Sequence, residues 1–330
     1  MGSPFPSKPP DVRLRAEPPS AQEPVYVMPA APKPERVWRY VVLFGLTLVT
    51  TTLVGMGHYE SFYKGFQSVE LPFSDWELAT RGLWYSTSIL AILGAHEFGH
   101  YYACRYYGVS ASLPYFLPVP FALTGTLGAF IRIRQPIPSK RELFDIGIAG
   151  PIAGFLVAVP VLMIGMYLST VVQLPQDFDG LVFELGEPLL FQASAWLTFG
   201  TVAEGYTVNM HPMAFAAWFG LLATALNLFP MGQLDGGHIA YAVLGRRSTL
   251  VTAGTVLSLV GLSFVSSSWI VWTVLTISML VVFGPRHPRT FDEHVPLDRA
   301  RMWLALFALA MFVVCFSPAP IEVIDLVRGR

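Results

Sequence analysis

Apolar residues gather in runs of membrane-spanning length at about 37–57, 81–104, 143–171, 212–231, 249–267, 268–284 and 301–317, which predicts seven helical spans. Only Ser266, Ser267 and Ser268 separate the fifth run from the sixth. The segment 181–200 is nearly as apolar, but Glu184, Glu187 and Pro188 interrupt it, so it reads as an outside hairpin or an interfacial helix. Counting it as a span would invert everything after it. Residues 105–141 follow a different pattern: prolines hold 112–120 extended, and 125–134 alternates in its second half like a strand. A β-hairpin at membrane depth is tolerated only where protein buries it or it lines a wet cavity; a surface loop with one short strand is the plainer alternative. The expected fold is an all-α polytopic membrane protein of about seven spans with a small membrane-associated β-hairpin or sheet.

Composition agrees with that pattern. Of 330 residues, 53% are hydrophobic and only 13% are charged, against about 25% charged in soluble domains. The net charge of −1 argues against a nucleic-acid partner. No signal peptide is visible, and residues 1–36, which hold ten prolines, read as a disordered cytoplasmic tail ahead of a membrane domain at 37–330. With that tail inside, every Lys and Arg except Lys64, Arg81, Arg328 and Arg330 falls on the cytoplasmic side, which supports the orientation. The two cysteines, Cys104 and Cys315, lie in apolar runs and imply no disulfide framework.

The candidate chemistry lies in HEFGH at 96–100, near the far end of the second run. Histidines at i and i+4 share one helix face, where His96 and His100 can grip one zinc ion with Glu97 beside the open position as general base. Ionisable groups inside a span are costly and mark function. A hydrolytic zinc site wants a third protein ligand, and the best candidate is Asp235, which follows the proline break at Pro230 and precedes Gly236 and Gly237. His96 lies on the order of 22 Å from the start of its span at Arg81, within the cytoplasmic third, and Asp235 sits near the same face. His238 is a rival ligand better suited to supporting a ligand, and Cys104 is better read as a buried apolar cysteine. His211 starts the fourth span on the order of 36 Å away, and His58, His287 and His294 read as solvated surface. Asn227 points into the same region, where its amide can stabilise an oxyanion or bond another helix. The G-x-x-x-G at Gly150 and Gly154 reads as close helix packing.

HEFGH within a span, GPIAG at 150–154, and the stretch from Asn227 to LDGG at 234–237 together resemble the site-2 proteases, the intramembrane zinc metalloproteases, over most of 80–245. The resemblance implies one Zn2+ per chain on His96, His100 and Asp235, Glu97 as general base, and Asn227 positioning substrate or stabilising the oxyanion. It implies a substrate-binding edge strand over Gly125, Thr126, Leu127, Gly128, Ala129 and Phe130, which would capture an unwound segment by strand addition. The implied substrate is the transmembrane segment of a single-pass protein, the implied setting a lipid bilayer, with a catalytic core at about 81–245. The expected location is the cell (inner) membrane of a bacterium, with the site toward the cytoplasm. No PDZ-like insertion or nucleotide-binding tail is visible, so the expected arrangement resembles the subgroup with extra spans and no appended soluble domains. The alternative is a metal transporter or channel using the same His, Glu and Asp cluster as a transit site.

Overall fold

The computed structural model describes residues 36–67, 69–120, 123–174, 181–284 and 290–325. The Pro-rich stretch, apart from Arg36, and His287 lie outside the described residues. In chain order the elements are α1 (Val37–Lys64), α2 (Asp75–Tyr106), β1 (Tyr115–Pro118), β2 (Thr126–Phe130), α3 (Lys140–Leu168), β3 (Thr170–Gln173), β4 (Leu181–Leu185), α4 (Leu189–Phe199), β5 (Tyr206–Asn209), α5 (Pro212–Asn227), α6 (Asp235–Leu244), α7 (Ser248–Leu262), α8 (Ser268–Phe283), α9 (Arg299–Cys315) and β6 (Ile321–Asp325).

The helix starts are written in the sequence. Ser74 and Glu77 form a reciprocal capping box that opens α2. Ser139 caps α3 and Asp298 caps α9, each accepting a backbone amide three residues on. His211 caps α5 with Pro212 in its first turn. Two helices, α1 (28 residues) and α3 (29 residues), are long and apolar enough to cross a membrane by length and composition. The 32 residues of α2 include the HEFGH polar group, and α5, α7, α8 and α9 run only 15–17 residues each.

The core joins α2, α3 and α5. Tyr85, Ile89 and Ile92 of α2 meet Ala158, Leu162 and Met166 of α3 and Trp218, Leu221 and Leu222 of α5, all buried. A Cβ on Gly220 would lie 2.8 Å from the Ile92 side chain, and one on Gly99 would lie 2.5 Å from the Ala149 carbonyl. Helix axes this close require the missing side chains. The prolines inside α3, Pro151 and Pro160, lack the amide that would bond the carbonyls of Gly147 and Leu156, yet the helix runs on through both.

Within 105–141 the chain forms an antiparallel pair in which Tyr115 faces Phe130 and Phe116 faces Ala129. It lies along α1. The Tyr40 hydroxyl donates to Tyr115, Phe44 packs edge-on against Phe116, and Thr50 Oγ1 donates to the Gly125 carbonyl at 2.7 Å. Tyr85 of α2 holds the Thr124 carbonyl at 3.0 Å. Gly125, at φ +72°, approaches so closely that a Cβ would lie 2.7 Å from the Thr51 Cα. His58, expected at a solvated surface, belongs instead to α1: its ring bonds the Leu123 carbonyl and packs 4.2 Å from Phe215 and 4.7 Å from Tyr85, centre to centre. The expectation failed because the apolar run stops just before it, whereas the helix continues to Lys64.

Two further pairs were not anticipated. β3 pairs with β5, and β4 with β6, both antiparallel. The 181–200 segment is therefore a strand followed by the short helix α4, 11 residues long.

Candidate metal centre

Each element delivers one part of the site. His96 and His100 stand one turn apart on α2 and are buried. Asp235 is the first residue of α6, so its carboxylate sits where a helix N-terminus favours negative charge. Gly236 and Gly237 bring that terminus in: their Cβ atoms would lie 2.1 Å from the Leu228 carbonyl and 2.5 Å from the Gly232 carbonyl. The turn at 228–234 thus folds back on α5 and delivers Asp235 to α2.

The result is a near-equilateral triangle of donor atoms. His96 Nε2 lies 3.1 Å from His100 Nε2, and each lies 3.2 Å from Asp235 Oδ2. His100 Nδ1 bonds the Ile146 carbonyl at 2.7 Å, so in the neutral ring Nε2 turns a lone pair toward the carboxylate. Acceptors converging in this way call for a cation between them. Zinc held tetrahedrally at about 2.0–2.1 Å from its ligands sets them about 3.3 Å apart, and two imidazole nitrogens with a carboxylate oxygen are a zinc donor set. The residues present fit the ion, and among the described residues they form the one such group.

The floor of the site is α3. A Cβ on Gly150 would lie 2.1 Å from His100 Nε2, and one on Gly154 would lie 3.1 Å from the His96 Cβ. The G-x-x-x-G read from the sequence as helix packing is also the space that the two imidazoles occupy. Gly147, one turn earlier, plays the same part for His238, whose Cβ lies 3.0 Å from where a Gly147 Cβ would be. His238 therefore packs on α3 and stays outside the ligand triangle.

Glu97 is buried beside the histidines, with the Ile131 amide just past β2 close to its carboxylate. Asn227 ends α5 with its Nδ2 3.4 Å from His96 Nε2. The 125–130 stretch is brought near by that Glu97 contact: Thr126–Phe130 form β2, one edge taken by β1, with the Leu127 side chain 72% exposed. Cys104 is buried among Val109 and Ile146. His211 is buried at the far end of α5 against Phe62, Tyr59 and Trp84, and His294 is exposed. What sequence reasoning missed are the backbone groups, the Ile146 carbonyl and the Ile131 amide, which carry no residue signature.

Residues 84–267 match the family model described as Peptidase family M50. This chain belongs to that family, the site-2 proteases. Membership brings the zinc metallopeptidase class expected from the sequence, and the donor triangle provides for its ion. Relatives named probable zinc metalloprotease EGY2, chloroplastic, and EGY1, chloroplastic, both from Arabidopsis thaliana, are 31% and 32% identical over 245 residues each, covering 73% and 68% of this chain. A third from the same plant, named probable zinc metallopeptidase EGY3, chloroplastic, is 29% identical over 248 residues. This M50 chain spans less than half of those relatives, 42%, 43% and 41% of their lengths.

Proposed function

We propose that this chain is a membrane-embedded endopeptidase that hydrolyses the transmembrane segments of single-pass proteins. The observation that carries the reading is the convergence of His96, His100 and Asp235 from two distant helices, with Glu97 buried beside them. Zinc held there supplies a Lewis acid for the scissile carbonyl and for water. Glu97 removes the proton of the attacking water and returns it to the leaving amine. The Asn227 amide donates to the oxygen of the carbonyl as it gains charge. A helix cannot be cut until its carbonyls are freed, and β2 offers an open edge on which an unwound segment can extend and pair.

What supports a multi-pass arrangement is the pairing of strands across the chain. β3 with β5, and β4 with β6, each need both partners on one side of the bilayer. The 11 residues of α4 reach about 16 Å, too short for the ~30 Å apolar layer, so β3 and β5 meet without a crossing between them. Between β4 and β6 the helices α5, α7, α8 and α9, each about 22–26 Å long, are taken as four short crossings, an even number. With α1, α2 and α3 that makes seven spans. The pair β1–β2 then lies at membrane depth along α1. This arrangement puts the site near the cytoplasmic face. The proposed setting is a bacterial cell membrane, whereas the EGY relatives are named chloroplastic. The transit-site alternative lacks a second station: among the described residues the His96, His100, Asp235 group stands alone.

The experiment is cleavage of a reconstituted single-pass substrate in liposomes. Glu97→Gln is expected to keep zinc and fold but lose turnover by about 10²–10⁴-fold. Undiminished cleavage by that variant would remove the reading.

A further inference from the structure

The His100 ring is held at its angle by a backbone atom, the Ile146 carbonyl, 2.7 Å from Nδ1. The residue before it, Asp145, is the hub of a charged knot. Asp145 Oδ1 accepts Arg301 Nε at 2.9 Å, and Oδ2 accepts Arg301 Nη2 and the Tyr107 hydroxyl. Arg301 directs its other terminal nitrogen onto Asp298, the cap of α9. Tyr107 caps the C-terminal end of α2, the helix that carries His96 and His100. One carboxylate therefore ties α2, α3 and α9 together one residue from the carbonyl that orients a ligand. A guanidinium that meets a carboxylate with two nitrogens fixes direction as well as distance, which a single-point ion pair does not.

We propose that Arg301 is a positioning residue for the metal centre, acting through Asp145 on the turn of α3 whose Ile146 carbonyl aims the His100 ring. The proposal rests on the reading of His96, His100 and Asp235 as ligands. Partners that orient a ligating imidazole change metal affinity by about 10–100-fold when removed. Arg301 lies outside the 84–267 stretch that matches the family model, so this link is not part of the motif set.

The test uses the full chain in detergent, loaded with Zn2+ against a competing chelator and separately with Co2+, whose visible absorption reports ligand geometry. Arg301→Met is expected to weaken zinc at least tenfold and to shift the Co2+ bands. Arg301→Lys, which cannot fork, should fall between it and the wild type. Tyr107→Phe, which removes one bond to Asp145, gives a smaller shift in the same direction and serves if Arg301→Met does not fold. Ser139→Ala supplies the control, because it uncaps the same end of α3 without touching Asp145 and should lower thermal stability with zinc affinity unchanged. Zinc affinity within twofold of wild type in the Arg301 and Tyr107 variants, with unshifted Co2+ bands, overturns the proposal whatever happens to stability. A shift in Ser139→Ala as large as theirs overturns it too, since general loosening would then suffice. A wild type that binds no zinc overturns the ligand reading itself, a separate result from variants that match a zinc-binding wild type.

Discussion

At Gly150 a single absent methyl group decides whether the histidines have room. Alanine there would favour the helix by about 1 kcal/mol on propensity alone, yet its Cβ would stand 2.1 Å from His100 Nε2. Gly150→Ala is therefore expected to keep or raise helix content by circular dichroism while losing most bound zinc by metal analysis. Gly154→Ala, whose nearest contact is 3.1 Å, should lose far less. Asp235→Ala and His100→Ala should each abolish stoichiometric zinc, and a variant that held one ion per chain would break the ligand assignment. The residue scale is also where the sequence was most legible. His96 and His100 are visible because helical spacing brings i and i+4 together, and Asp235 because proline and glycine bracket it. Ile146 and Ile131 were invisible because they contribute a carbonyl and an amide, which any residue could supply. His58 was misread because α1 runs past the end of its apolar stretch to Lys64, which sets the ring against Tyr85 and Phe215.

Among the elements, the β1–β2 pair is the one whose attachment can be separated from the metal. Its contacts to α1 and α2 run through Thr50 to Gly125 and Tyr85 to Thr124. Removing either hydroxyl, in Thr50→Val or Tyr85→Phe, should cost about 1 kcal/mol of stability. Gly125→Ala is a stronger perturbation, since Gly125 has φ +72° and its Cβ would meet the Thr51 backbone at 2.7 Å. That variant should bind zinc as the wild type does and cleave poorly, with the loss appearing mainly in KM. Loss of zinc together with activity would mean that the pair supports the metal rather than the substrate. The alternation in the second half of 125–134 foretold a strand there, whereas β2 takes the first half, Thr126–Phe130, and the alternating part holds only an isolated bridge from Ile133 to Ala111. The docking partner was not legible either, because threonines and tyrosines on an apolar helix look like any polar interruption. The pairs β3–β5 and β4–β6 were hidden for a related reason: 181–185 is apolar enough to be absorbed into a helical run, and its partner is far along the chain.

For the whole molecule, the proposed crossing pattern makes a prediction about sidedness. Tyr206 in β5 and Arg246 just after α6 are both exposed, and they should face opposite compartments. Cysteines placed singly at these positions should react with a membrane-impermeant maleimide from opposite sides of sealed vesicles. The native Cys104 and Cys315 are buried and should contribute little background. Labelling of both positions from the same side would rule out α5 as a crossing.

The pairing of β4 with β6 also sets an order of events during synthesis. The first partner emerges about 140 residues ahead of the second, so on the proposed crossing pattern it waits, unzipped, while α5 through α9 are threaded into place. The outer rim can close only after the last helix has arrived, which makes that closure a report on completed insertion. A nascent enzyme stalled partway would expose a lone sticky edge to whatever strand or chaperone reached it first.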